Sequence, residues 1–205
     1  MDAKTQAILS RIRAPLKGVP MMAEIIDIEV GVSDAGRTQI VARIAPVYDD
    51  KPQPDLALRY YLGLPEEGEK NPQVLGRARD KGYGFFSSVN PSFPRRPRKL
   101  GKEQFRLKNG EVVTYKQSLT AQAAVDEAIF DGLAAIRVGG TAAVKSLRGT
   151  RVFMCPQVAT FDTETLQTSQ FVKFIADELR DGQSYLTSDF VDTDKQAEFL
   201  QAAGL

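Results

Sequence analysis

The pattern that most constrains this chain is a pair of alternating segments flanking a short polar turn. Residues 21–32 read MMAEIIDIEVGV, in which Ala23, Ile25 or Ile26, Ile28 and Val30 alternate with Glu24, Asp27 and Glu29. After the turn Ser33-Asp34-Ala35-Gly36, residues 38–47 read TQIVARIAPV and alternate again. Because successive side chains of a strand point to opposite faces, this pattern predicts an antiparallel hairpin with one buried face. The Pro-containing loop 49–54 leads to a third predicted strand over 56–64, LALRYYLGL, with aromatic residues at its centre.

The middle of the chain carries different signals. Asn71-Pro72 offers a helix start within the polar stretch 65–81, since proline suits the first helical position. The glycine-aromatic run Gly82 to Phe86 either closes the core or presents rings on a surface. Residues 90–103, with Pro91, Pro94, Pro97 and a high density of charge, predict an irregular segment. A hairpin over 104–118 turns at Asn109-Gly110, with Phe105 and Leu107 on one face and Arg106 and Lys108 on the other. Thr120 is the predicted cap of a helix over 121–138, whose buried stripe is Val125, Ile129, Leu133 and Ile136 and which Gly139-Gly140 ends. The segments LRGTRVFMCPQVATF and LQTSQFVKFIADEL predict two strands around Asp162-Thr163-Glu164. Short helices are expected over 2–16 and after Thr193.

Together these elements predict a mainly β chain with helices, a β-rich α+β class. The specific form is an OB-like five-stranded barrel with a helix between strands 3 and 4, a basic hairpin insertion and terminal helices. Another small barrel or a mixed α+β sandwich would give a similar order. The expected organisation is an N-terminal helix or arm at 1–20, a core at 21–180 with the insertion at 88–118, and an acidic helical tail at 181–205.

Composition narrows the chemistry. Histidine and tryptophan are absent from the 205 residues and there is one cysteine, so no Ser-His-Asp or Cys-His relay and no imidazole ligand set is available. No internal disulfide is possible, and Cys155 is expected to behave as a small buried hydrophobe. No GxxxxGK[ST] phosphate loop occurs. Carboxylates at i and i+2, Asp27 with Glu29 or Asp162 with Glu164, could hold magnesium in principle, but solvent-facing strand and turn positions account for them more simply. The expectation is therefore no catalysis, no cofactor and no metal. No apolar run reaches the roughly 20 residues of a membrane-spanning helix, and residues 1–17 lack the apolar centre of a signal peptide. A cytoplasmic protein without membrane partners is expected.

A net charge of +1 conceals a separation of sign. Residues 93–108 hold seven Lys/Arg against one Glu, whereas 161–205 hold nine Asp/Glu against three Lys/Arg. A basic segment of that density suits a polyanion, because each cation laid on a phosphate releases condensed counterions. Arg95, Arg96, Arg98, Lys99, Lys102, Arg106 and Lys108 supply the charge, and Arg59, Arg77 and Arg79 extend the path. Single strands also need rings on which bases stack. The candidates are Tyr60 or Tyr61, one of which must face outward, with Phe93 and Tyr115. A basic, Pro-rich arm would equally serve a virion assembly protein by reaching over a neighbouring subunit.

The succession AEIIDIEVGVSDAGRTQIVARIAPV, AQAAVDEAIFDGLAAIRV and LRGTRVFMCPQVATFDTETLQTSQFVKFIAD resembles the OB-fold single-stranded-DNA-binding proteins of bacteriophages and mobile elements. The resemblance covers residues 20–180 and rests on element order and a helix-to-LxG-to-strand junction. It implies sequence-independent protection of single-stranded DNA in replication or recombination, without catalysis, in the cytoplasm of a bacterial host. Homo-oligomers and replication or recombination proteins are the implied partners. The segment DFVDTDKQAEFLQAAGL departs from the family's disordered acidic tail with a terminal aromatic, because its pattern is helical.

Overall fold

The computed structural model describes residues 21–48, 50–156, 160–161, 168–169 and 172–174, with side chains over 22–47 and 50–154. The helices expected over 2–16 and after Thr193, the tail 181–205, the turn at Asp162-Thr163-Glu164 and the burial of Cys155 lie outside that description.

The leading alternation folds as predicted. Strands β1 (Met21–Val32) and β2 (Thr38–Tyr48) are neighbours in one sheet. Their turn is closed by Gly36 N–H donating to Ser33 O at 2.8 Å and Arg37 N–H donating to Ser33 Oγ at 3.1 Å. Gly36 has φ 73, in the left-handed region where a side chain is disfavoured. Strand β3 (Lys51–Pro52) pairs with the end of β2, and β4 (Leu58–Gly63) lies beside β2 as well. On the other edge, β8 (Arg151–Pro156) pairs antiparallel with β1, Ala23 opposite Val152, and β11 (Val172–Phe174) pairs antiparallel with β8. Strands β9 (Thr160–Phe161) and β10 (Thr168–Ser169) form a short antiparallel pair. The result is a curled antiparallel sheet combined with helices, a β-rich α+β structure.

The chain divides into two compact units. The first holds the described residues up to Ile28, Val41–Tyr61 and those from Leu147 onward; the second holds Glu29–Ile40 and Leu62–Ser146.

In the first unit the buried set is Ala23, Ile25, Ile28, Ala42, Ile44, Ala45, Leu58, Tyr60, Val152 and Met154. A large apolar side chain removed from water in this way contributes about 1.5–3 kcal/mol. The Leu147-Arg148-Gly149 junction is held to β1: Arg148 Nε donates to Ile26 O at 2.7 Å, its Nη2 lies 3.2 Å from Asp27 Oδ1, and Gly149 N–H donates to Ile25 O at 2.8 Å. Asp27, one of the candidate metal carboxylates, is thus drawn to an arginine. Arg151 fastens the turn between β2 and β3 by pairing with the Asp50 carboxylate and donating from Nη2 to Asp50 O at 2.9 Å. That anchors the non-glycine residue at φ 63.

The second unit is built on two helices. Helix α1 (Pro72–Val89) starts where Asn71-Pro72 predicts, with Gln73 N–H donating to Asn71 Oδ1 at 3.0 Å. It continues through Gly82 to Phe86, so the glycine-aromatic run is helical and Phe85 is fully buried. Helix α2 (Tyr115–Gly139) buries the predicted stripe Val125, Ile129, Leu133 and Ile136. Its start differs from the expected cap. Thr114, not Thr120, begins it, because Gln117 Oε1 accepts from both Thr114 N–H, at 3.0 Å, and Thr114 Oγ1, at 2.9 Å. The reciprocal capping pattern Thr-x-x-Gln sits six residues earlier than the threonine singled out from the sequence. A short helix α3 (Thr141–Val144) follows the turn at Gly140, and Val30 N–H donates to Thr141 Oγ1 at 3.0 Å.

Two long helices, α1 and α2, and the short α3 lie between β4 and β8 in the chain, where one was expected. The two long ones approach closely at glycines: a Cβ placed on Gly82 would stand 2.8 Å from Ile129 Cγ2, and one on Gly132 would stand 2.6 Å from Phe86 Cζ. The Phe86 ring has no room to retreat, since it stacks on Phe93 at 5.2 Å and meets the edge of Phe85 at 5.4 Å. No helix among the described residues is long and apolar enough to cross a membrane. Gly132→Ala should lower stability in urea denaturation by up to about 2 kcal/mol, because overpacking costs about 1–3 kcal/mol against a helix-propensity gain of about 1. Adding Phe86→Leu should recover part of the loss.

Candidate nucleic-acid interface

The basic segment between α1 and α2 is more ordered than its prolines predict. Asn90 ends α1 and turns the chain: Ser92 N–H donates to Asn90 Oδ1 at 2.9 Å and Phe93 N–H to Asn90 O at 3.0 Å. This reversal brings Phe93 back onto Phe86, so Phe93 is buried rather than exposed for base stacking. Arg96 then fastens the chain to α1. Its guanidinium lies 4.3 Å from the centre of the Tyr83 ring, its Nη2 is 3.1 Å from Asp80 Oδ1, and its backbone N–H donates to Tyr83 Oη at 3.2 Å.

Beyond this anchor, β5 (Arg98–Lys99), β6 (Gln104–Arg106) and β7 (Val112–Thr114) form a separate three-stranded antiparallel sheet. Residues 98–99, expected to be irregular, are its edge strand. The β6–β7 hairpin turns at Asn109-Gly110 as predicted. Gly110 has φ 88 and donates to Leu107 O at 3.0 Å, while Asn109 Oδ1 accepts from Glu111 N–H at 3.0 Å.

The register sorts the side chains. Lys99 faces Phe105, which faces Val113; Arg98 faces Arg106, which faces Val112. One face carries half-buried Phe105 and Leu107 and buried Val113. The opposite face is exposed throughout and carries Arg98, Leu100, Gln104, Arg106, Lys108, Val112 and Thr114. The predicted alternation of Phe105 and Leu107 against Arg106 and Lys108 therefore holds. Tyr115 opens α2 beside this sheet, 56% exposed, with its ring centre 5.9 Å from that of Phe105. Leu119, one helical turn on, is also exposed.

The predicted site residues separate into groups. Arg98, Lys99, Lys102, Arg106 and Lys108 are exposed and make no ion pair with any carboxylate among the described residues. Arg96 and Arg79 differ: Arg79 lies 3.4 Å from Asp80 and 3.9 Å from Asp126, so both arginines are engaged within the chain. Arg95 is half-buried and Arg77 is exposed on α1. Burial, and secondarily the charge of Arg77, lowers the pKa of the Lys81 ammonium. Arg59, Tyr60 and Tyr61 belong to β4. Leu58, Tyr60 and Leu62 share its inward face, which removes Tyr60 as a stacking platform; burial pushes its phenol well above the usual value. Tyr61 is the outward ring, half-buried, and accepts from Arg59 Nη1 at 3.4 Å.

The sequence reading named Tyr115 but missed the other apolar members of the interface, Leu100, Val112 and Leu119. Six large hydrophobic side chains are exposed among the described residues, and four of them, Leu100 and Val112 in the small sheet and Tyr115 and Leu119 in the first turns of α2, fall within residues 100–119. Their signal was present in the strand register, since Val112 and Leu100 fall on the same alternation as Arg106. No protein-family model, curated protein or solved structure matches this chain.

The two kinds of arginine should separate in thermal denaturation. Arg96→Ala should cost about 1–2 kcal/mol, from a lost cation–π contact and a lost charge-assisted hydrogen bond. Arg106→Gln should leave stability unchanged or raise it by about 0.2–1 kcal/mol, because like charges directly opposed across strands are unfavourable.

Proposed function

We propose that this chain is a non-catalytic, sequence-independent binder of single-stranded nucleic acid, with DNA the form implied by its resemblance to phage and mobile-element proteins of replication and recombination. The observation that carries this reading is the exposed face of the small sheet. Its cations lack internal counter-charges among the described residues, and exposed apolar side chains stand among them. Cations alone would suit any polyanion. Cations interleaved with Leu100 and Val112, with the exposed Tyr115 ring beside Phe105 at the start of α2, suit a strand whose bases are unpaired, because an unpaired base has a flat apolar face to bury and a paired one does not.

The larger sheet supports the OB-like part of the proposal. Counting only the long strands and β11, its order is β11-β8-β1-β2-β4, or 5-4-1-2-3, with the helices between the third and fourth. A five-stranded Greek-key barrel closes from that order when its fifth strand meets its third. In this reading the segment 88–118 is an insertion that supplies phosphate contacts. The exposed apolar residues also suit the rival reading, an assembly protein whose basic arm covers a neighbouring subunit. Oligonucleotide affinity separates the two.

Fluorescence anisotropy should show the full chain binding labelled oligothymidylate more tightly than duplex of equal length, with affinity falling steeply as salt rises. Changing Arg98, Lys99, Lys102 and Arg106 together to Gln should weaken binding to all sequences alike. It should lower the salt slope by about 2–3, given roughly 0.7 per phosphate contact on single strands and three or four phosphates contacted by these side chains. Tyr115→Ala should cost about 1–3 kcal/mol of binding if a base stacks there. A wild-type chain with no oligonucleotide affinity overturns the reading in favour of an assembly arm.

A further inference from the structure

Arg98 and Arg106 stand directly opposite each other on adjacent antiparallel strands. The Leu100 N–H donates to Gln104 O at 2.9 Å, and hydrogen-bonded and non-bonded pairs alternate along such a ladder. Two residues further along, Arg98 and Arg106 form a pair of the bonded kind, with Cα atoms about 5.5 Å apart. Their side chains leave the same face of the sheet. Across β6 in the other direction, Arg106 meets Val112, which offers no counter-charge. Neither guanidinium has a carboxylate partner among the described residues.

Two like charges in this position disfavour the sheet that holds them, and the sheet has little to spare, with strands of two and three residues. A single tetrahedral oxyanion reverses the sign of the interaction. It offers oxygens to both planar donor forks at once, and arginine binds phosphate oxygens by paired N–H bonds. Leu100 and Val112 flank the pair on the same exposed face, so a phosphate held there has apolar surface beside it for the sugar and base it carries.

We propose that Arg98 and Arg106 form a two-arginine clamp on one phosphate group, whose occupancy stabilises the small sheet. The proposal rests on the nucleic-acid reading for its ligand, a backbone phosphodiester, and adds that both arginines engage the same phosphate. The stabilisation follows from linkage, since a ligand that binds only the assembled sheet shifts the equilibrium toward it.

The test is a double-mutant cycle on the full chain with Arg98→Gln, Arg106→Gln and both together. Arg37→Gln, an exposed arginine in the β1–β2 hairpin, serves as the charge control. Anisotropy with oligothymidylate is read across a salt series, and thermal melting is read in inorganic phosphate against chloride at equal ionic strength. A shared phosphate predicts that each single change weakens oligonucleotide binding about tenfold. The double change should weaken it little further, with a salt slope lower by about 0.7, and Arg37→Gln should stay within about twofold of wild type. Phosphate should raise the melting temperature of the wild type more than chloride does, and both single variants should lose that difference.

Losses that multiply to about a hundredfold, with a slope lower by about 1.4, mean two separate phosphate contacts and overturn the clamp while leaving nucleic-acid binding intact. Unchanged affinity in the single variants does the same. A wild type that binds no oligonucleotide defeats the underlying reading. In that case a phosphate-specific melting shift lost in both variants still supports the clamp, with a free phosphate compound as its ligand, and the absence of that shift overturns it.

Discussion

The close approach of α1 and α2 at Gly82 and Gly132 is the constraint on which the second unit depends. Only hydrogen fits where Ile129 presses on Gly82 and the Phe86 ring presses on Gly132. Holding Phe86 in that slot fixes the surface onto which Phe93 stacks, and Phe93 in turn sets where the chain leaves α1. The small sheet therefore inherits its starting point from a helix–helix contact made at two glycines. Interiors of this kind are close-packed and resist small changes in volume, which gives the exposed cations a rigid mount.

The basic segment divides by work done. Arg96 spends its charge on Asp80 and the Tyr83 ring, and Arg79 spends its own on Asp80 and Asp126. These arginines hold structure. Two residues beyond Arg96 the anchoring stops, and Arg98, Lys99, Lys102, Arg106 and Lys108 face solvent. Composition does not separate Arg96 from Arg98, Lys99, Lys102, Arg106 and Lys108, because all six lie within one run of like character. Their difference comes from Asp80 on α1, which is distant from Arg96 along the chain and beside it only after folding.

Legibility in the sequence followed locality. The β1–β2 hairpin, the Asn71-Pro72 helix start, the Asn109-Gly110 turn and the buried stripe of α2 were all readable, because each depends on residues within a few positions of one another. Two readings failed where a local rule met a stronger neighbour, and a third stayed open. Thr120 looked like a cap, but Thr114 with Gln117 made a better one and drew Tyr115 into the helix. Phe93 looked exposed among prolines and charges, but Asn90 turned it inward. Tyr60 and Tyr61 could not be told apart until the register of β4 chose between them. The exposed residues Leu100 and Val112 went unnoticed because an apolar side chain in a predicted strand is ordinarily assigned to the core.

The fastening of the basic segment at both ends has an evolutionary consequence. Phe93 and Arg96 secure its entry, and the Thr114–Gln117 capping pair secures its exit. Residues 97–113 therefore form a cassette bounded by contacts that do not involve its own outward side chains. Lineages could exchange that cassette, lengthen its turn or invert its charge, and the helical platform would still assemble. The outward positions of the cassette are then the part of the second unit least constrained by packing, and substitutions there leave the contacts of the platform intact.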